Sequence, residues 1–160
     1  MTRLLIVCAA NLCRSPMAEA VLRGHAAGLG LSEVASAGVW ASSRRQEADK
    51  RALQALQARA YGLDRRWRSR RVRPEDFDDF DLLLAMDREV LRGLEAQRPA
   101  RSTARLALFL QGMTGLGRDE VPDPYFGTVE GFERVLDLIE ARVAAWPAAV
   151  DLKRHFTAAA

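Results

Sequence analysis

Cysteine and histidine are scarce in this chain: two of each in 160 residues. The cysteines, Cys8 and Cys13, have four residues between them. Structural disulfides in small secreted chains usually close larger loops, and a chain of this length builds its core without them. That spacing therefore argues against a disulfide scaffold and for a reducing, cytoplasmic setting. Long apolar runs are also missing. None approaches the ~18 residues of a membrane span, so no membrane partner is expected. Leu4 to Ala10 follows Met1-Thr2-Arg3 in the manner of a short signal peptide. However, it has only seven residues, leads into Asn11 and Arg14, and shows no small-residue cleavage site. It reads as a first core strand. No Gly-x4-Gly-Lys-Ser/Thr string is present, so a nucleotide-binding P-loop has no support. His25 has no charged partner spaced to orient it and reads as a surface or helix-end residue. The net charge of +3 suits acidic substrates, but an ordinary surface also produces it.

The informative stretch is Cys8-Ala9-Ala10-Asn11-Leu12-Cys13-Arg14-Ser15. It follows Leu4-Leu5-Ile6-Val7, an apolar run of the kind found in buried strands. It precedes Pro16-Met17-Ala18-Glu19-Ala20-Val21-Leu22, a helix start with Ser15 as cap, Pro16 at the first position and Glu19 in the first turn. Such a strand–loop–helix junction aims backbone N–H groups at one point, and the helix dipole adds positive potential there. That makes an anion site. Cys8 lies beneath the donors, where an anionic sulfur is stabilised. Arg14 can offer a planar fork to two phosphate oxygens. Ser15 can donate a hydrogen bond to the sulfur.

The rest of the chain alternates strand and helix. A helix is predicted over 15–27, with Ala18, Val21, Leu22 and His25 on one face and Gly28 and Gly30 stopping it. A strand follows over 33–38. Asp49 caps a helix burying Ala52, Leu53, Leu56 and Ala60, which Gly62 ends. Residues 65–73 carry six arginines in nine positions. They read as a solvated basic rim rather than a nucleic-acid surface. A turn or short helix over 74–80 leads to a strand over 81–85. Asp87 then caps a helix carrying Val90, Leu91 and Leu94, and a strand follows over 105–110. Asp123 lies between Pro122 and Pro124 on stiff backbone. The last helix, over 128–146, has one stripe of Val129, Phe132, Val135, Leu136, Ile139, Val143 and Trp146. The β-α alternation predicts an α/β fold, one domain over 1–150 with a tail over 151–160. Its sheet would be four-stranded, parallel and doubly wound, with helices on both faces and the site at the carboxyl ends of the strands.

The Cys8-x5-Arg14-Ser15 pattern resembles the phosphate loop of protein tyrosine phosphatases. The longer string Val7 to Glu19 is similar to the signature V-C-x-x-N-x-C-R-S-P-x-A-E of the low-molecular-weight class, and the resemblance extends over about 3–146. It implies Cys8 as nucleophile, Arg14 as phosphate ligand and Asp123, in an Asp-Pro-Tyr motif, as general acid. Ala9, Ala10, Asn11, Leu12, Cys13 and Ser15 would form the phosphate loop, with Ser36 bracing Asn11. Tyr125 and Phe126 would flank the substrate ring. Ser42 stands where the family places an apolar wall, so Trp40 either takes that role or packs on the core edge. Trp67 stands where a bracing histidine is usual, which predicts a less rigid loop or a different brace. Cys13 would bridge to Cys8 under oxidation.

The implied activity is hydrolysis of phosphotyrosine in proteins, with a bacterial tyrosine kinase among the possible substrates and phosphate or other oxyanions as ligands. No metal or cofactor is called for, since Arg14 and the N–H ring supply the positive field. Three alternatives remain. Arsenate reductases share the architecture, although the thioredoxin-coupled ones use two further cysteines absent here. Phosphoarginine phosphatases typically carry threonine where Leu12 stands. A non-catalytic phosphopeptide- or polyanion-binding module could use the arginine run.

Overall fold

Leu4, Leu5, Ile6 and Val7 are apolar at every position because both faces of their strand are covered, and all four are fully buried. In the computed structural model, which describes residues 1–146 and 152–156, they belong to β1 (Thr2–Cys8). The other strands are β2 (Leu31–Gly38), β3 (Leu82–Ala85) and β4 (Arg105–Leu108). They form one parallel sheet in the order β2-β1-β3-β4. Leu4 and Ile6 point to the face covered by α1 (Arg14–His25), α2 (Lys50–Ala58) and α5 (Val129–Ala145). Leu5 and Val7 point to the opposite face, covered by α3 (Asp76–Asp79) and α4 (Arg88–Gln97). The doubly wound α/β architecture is as the alternation predicts. Among the described residues no helix is long and apolar enough to cross a membrane.

The register aligns the carboxyl ends of the strands, pairing Cys8 with Gly38 and Val7 with Ala85. The chain leaves β1 toward β2 on one side, and β3 lies on the other, so β1 and β3 flank the switch point where such sheets bind ligands. The segments after β1, β3 and β4 converge there.

Several local expectations are corrected. Helix α1 starts at Arg14, with Cys13 at the cap position and no side-chain capping bond. Ser15 does not cap, because its hydroxyl is engaged with Cys8 and Asn11. Pro16 is accordingly the third helical residue, and Glu19 lies past the first turn, buried. Asp49 does cap α2, accepting from Arg51 N at 2.8 Å. Leu53 is on the exposed side, and the left-handed residue closing that helix is Ala60 (φ 62°) rather than Gly62. Val129 is half-exposed at the start of α5, whereas the rest of its stripe is buried. Within the stretch expected to be a tail, Leu152–His155 forms α6, and Leu152 and Phe156 join the core. The loose ending expected for 157–160 lies outside the described residues.

The arginine run is only partly solvated. Asp76 is 0% exposed and takes a bidentate pair from Arg70 at 2.8 and 3.0 Å, plus the Arg73 N–H at 2.8 Å. Arg71 Nε donates to Ala41 O. These bonds fasten the 70–73 stretch beside the end of β2.

Gly38 is the point where sheet and loop meet. A Cβ there would lie 2.6 Å from Ala9 O and 2.9 Å from Asn11 N, both backbone atoms. Gly38→Ala is therefore expected to cost about 1–3 kcal/mol and to displace the loop. Thermal unfolding together with phosphate affinity checks this, and both should fall.

Candidate active site

A loop that turns sharply between a strand and a helix often puts one residue in an unusual backbone region. Here that residue is Asn11, at φ 58°, a conformation asparagine tolerates better than most. Its side chain is fully buried, and every polar group on it is used. Nδ2 donates to Ser15 Oγ at 2.8 Å and to Ser36 Oγ at 3.0 Å, while Oδ1 accepts from Arg70 N at 2.9 Å. Ser15 Oγ accepts from Asn11, and its own hydrogen has two acceptors in reach, Cys8 Sγ at 2.9 Å and the more distant Ala37 O at 3.5 Å. Ser36 thus braces Asn11, and a backbone amide of the arginine run completes the brace. Behind Ser36 lies Glu19, buried, whose carboxyl is pushed up by burial and partly restored by Arg23, Ser36 and the Trp67 indole. The partners that hold Asn11 itself are Ser15, Ser36 and the Arg70 N–H, so the brace is made without a side chain at position 67.

Arg14 is 3% exposed. Its Nη1 donates to Asp87 Oδ2 at 2.6 Å and to Val121 O at 2.9 Å, and its Nη2 lies 3.8 Å from Asp123 Oδ2. Burial alone would favour losing the charge. The neighbouring Cys8, Asp87 and Asp123 more than offset that, so the guanidinium stays charged. Asp87 appears in the sequence reading only as a helix cap, which it also is, accepting from Val90 N at 2.8 Å. The signal that marks it as more is its place just past β3, at the carboxyl edge of the sheet.

These groups open into one cleft of about 320 Å³, lined by Cys8, Ala10, Leu12, Cys13, Arg14, Asp123, Tyr125 and Phe126. Asp123 Oδ1 accepts from Tyr125 N at 3.1 Å. The Tyr125 and Phe126 rings meet edge to face at 4.9 Å, and Phe126 is 95% exposed at the mouth. Asn11, Ser15 and Ser36 stand behind the cleft, and Ala9 packs its carbonyl against Gly38. Trp40 does not line it. Its ring lies over Gly93 of α4, 3.3 Å from where a Cβ would stand, so the core-edge position applies. Ser42 Oγ accepts from Arg44 N and adds no wall.

Both cysteines are free and buried. Burial, reinforced by Asp49 and Cys8, lifts the Cys13 thiol from an ordinary 9.0 to about 12. Folded Cys13 keeps its proton where the unfolded chain loses it, so its contribution to stability is lost as pH rises above ~9. In Cys8→Ser protein, Cys13 is expected to resist alkylation by iodoacetamide at pH 8 until denaturant is added. Mass spectrometry of the native and unfolded protein checks this, and rapid native labelling would contradict it.

A family model described as Low molecular weight phosphotyrosine protein phosphatase matches residues 3–156. A low molecular weight protein-tyrosine-phosphatase of Streptomyces coelicolor is 39% identical over 154 residues, covering 92% of this chain and 93% of that relative. Among solved structures, a low molecular weight phosphotyrosine phosphatase of Vibrio cholerae O395 superposes with a TM-score of 0.80 at 39% identity, over 91% of this chain and 94% of that one. Vibrio vulnificus Wzb, in complex with benzylphosphonate, gives 0.78 at 28% identity over 91% and 96%. The family model and the relatives each span nearly the whole chain, and on that match the chain belongs to the low molecular weight phosphotyrosine protein phosphatase family.

Proposed function

We propose that the protein hydrolyses phosphotyrosine in proteins through a cysteinyl-phosphate intermediate. The observation that carries this reading is one cleft holding the Cys8 sulfur, the charged Arg14 fork and the Asp123 carboxyl, flanked by the Tyr125 and Phe126 rings. The Cys8 thiolate attacks phosphorus in line. The loop N–H groups and Arg14 hold the equatorial oxygens, with the ion pair to Asp87 fixing the fork. Asp123 gives its proton to the departing phenolate oxygen. It then takes one from the water that displaces sulfur from phosphorus, releasing phosphate. Ser15 donates to the sulfur as it leaves. The benzylphosphonate bound by Vibrio vulnificus Wzb joins an aromatic ring to a phosphonate group, which supports an aryl phosphate as substrate.

Cys8→Ser is expected to abolish turnover of a phosphotyrosyl peptide. Asp123→Asn is expected to lower it by ~10²–10⁴. Steady-state assays check both, and retained turnover without Cys8 would end this mechanism. Under peroxide, Cys8 would become a sulfenic acid, and Cys13 would displace water from it to form a disulfide. Peptide mapping after mild oxidation should show the Cys8–Cys13 bridge, and finding only sulfinic Cys8 would remove that role for Cys13.

A further inference from the structure

Asp123 stands on a stretch whose own hydrogen bonds are local. Tyr125 N donates to Asp123 Oδ1 at 3.1 Å, and Gly127 N donates to Pro124 O at 3.0 Å. Arg51, near the start of α2, reaches this stretch from another element. Its Nη2 donates to Tyr125 O at 2.9 Å and its Nη1 to Gly127 O at 3.2 Å. The guanidinium lies 4.5 Å from the Phe132 ring centre on α5 and 5.7 Å from that of Tyr125.

The other side of the same guanidinium is fixed. Nε and Nη2 donate to the two carboxylate oxygens of Asp49 at 3.1 and 2.9 Å. Arg51 in turn holds the Asp49 carboxyl below its usual range. The backbone N–H of Asp49 donates to Leu12 O at 2.9 Å, inside the phosphate loop. A continuous path therefore runs from Leu12 to Asp49, through Arg51, to the carbonyls on either side of Phe126.

We propose that Arg51 is the positioning residue for proton donation: it clasps the Asp123 stretch to the phosphate loop and sets the carboxyl's distance from the leaving oxygen. The proposal rests on the reading of Asp123 as the proton donor. Arg51 itself touches no reacting atom. Four acceptors are served by three nitrogens of one rigid plane, which a lysine ammonium, a single point on a flexible stem, cannot reproduce.

The test is kcat/KM over aryl phosphates of graded leaving-group acidity, from phenyl through 4-nitrophenyl to 2,4-dinitrophenyl phosphate. A proton donor matters for the first and little for the last. Arg51→Ala is expected to lower kcat/KM roughly ten- to a hundredfold on phenyl phosphate and by less than about threefold on the dinitrophenyl ester. Inhibition by inorganic phosphate should stay unchanged. Arg51→Lys should retain little of the lost rate, and if the alanine variant fails to fold, the lysine variant carries the test. Adding Arg51→Ala to Asp123→Asn should cost little more, because the group it positions is gone. An equal loss across all three esters, or additive losses in the double variant, would overturn the proposal. Should Asp123→Asn show the wild-type leaving-group dependence, the reading of Asp123 fails and this proposal with it. Steep dependence in Asp123→Asn with a flat response in Arg51→Ala overturns the Arg51 proposal alone.

Discussion

One buried amide ties fold and site together. Asn11 holds the loop in its turned-in shape because its side chain is the shared hydrogen-bond partner of the helix start, β2 and the arginine run. An amide left unpaired in that interior would cost on the order of 1–3 kcal/mol. Its left-handed backbone adds strain that only a fully satisfied surround sustains. The shape of the loop, the placement of the Ser15 hydroxyl beside Cys8 and the seat of the loop on Gly38 all depend on this one residue's placement. Rigidity of the anion cradle is therefore a property of the core, not of the loop alone.

Buried charge follows a related rule. Arg14 is paired with Asp87, and Asp76 with Arg70, each with close hydrogen-bonded geometry. Removing one member of such a pair strands the other in low dielectric, which is far costlier than never having built the pair. Arg142 follows a different route. It is buried on α5 without an ion pair among the described residues, packed between the Trp146 and Phe156 rings, with its charge form disfavoured by burial. The cation–π contact with Phe156 ties α5 to the residue just past the short helix α6. The difference fits location: the guanidinium in the cleft is kept charged and aimed by its carboxylates, while the one on α5 serves packing.

How much of this could be read from the sequence depends on the range of the interaction. Strand β1 was legible because burial on both faces demands an unbroken apolar run, and Asp49 was legible as a cap because that bond spans two residues. Pro122 and Pro124 also marked the Asp123 stretch. What escaped was long-range. Ser15 has the chemistry of a cap, and only the sulfur seven residues earlier shows why it is not one. Six arginines in a row of nine look like a solvated rim until Asp76 is found beneath them. Asp87 reads as a cap, and only its place just past β3 signals that its other oxygen pairs with Arg14, 73 residues earlier in the chain. Trp40 was ambiguous because a tryptophan at a sheet edge fits either a cleft wall or a core rim, and Gly93, which decides it, lies on another element.

The cleft divides wet from dry. Arg14 is 3% exposed and Asp123 49%, yet the two lie 3.8 Å apart. An oxyanion cradle works through fixed dipoles, and those are strongest where water cannot screen or reorient around them. The proton donor proposed at Asp123 has the opposite need, because the water from which it recovers its proton must reach it from the solvent side. Placing the carboxyl on the mouth side of a buried guanidinium meets both demands with one ion pair. It also explains why the carboxyl sits on a loop beyond β4 while the Cys8 loop grows from the central strand. The loop takes its order from the sheet, and the carboxyl takes its access from the surface.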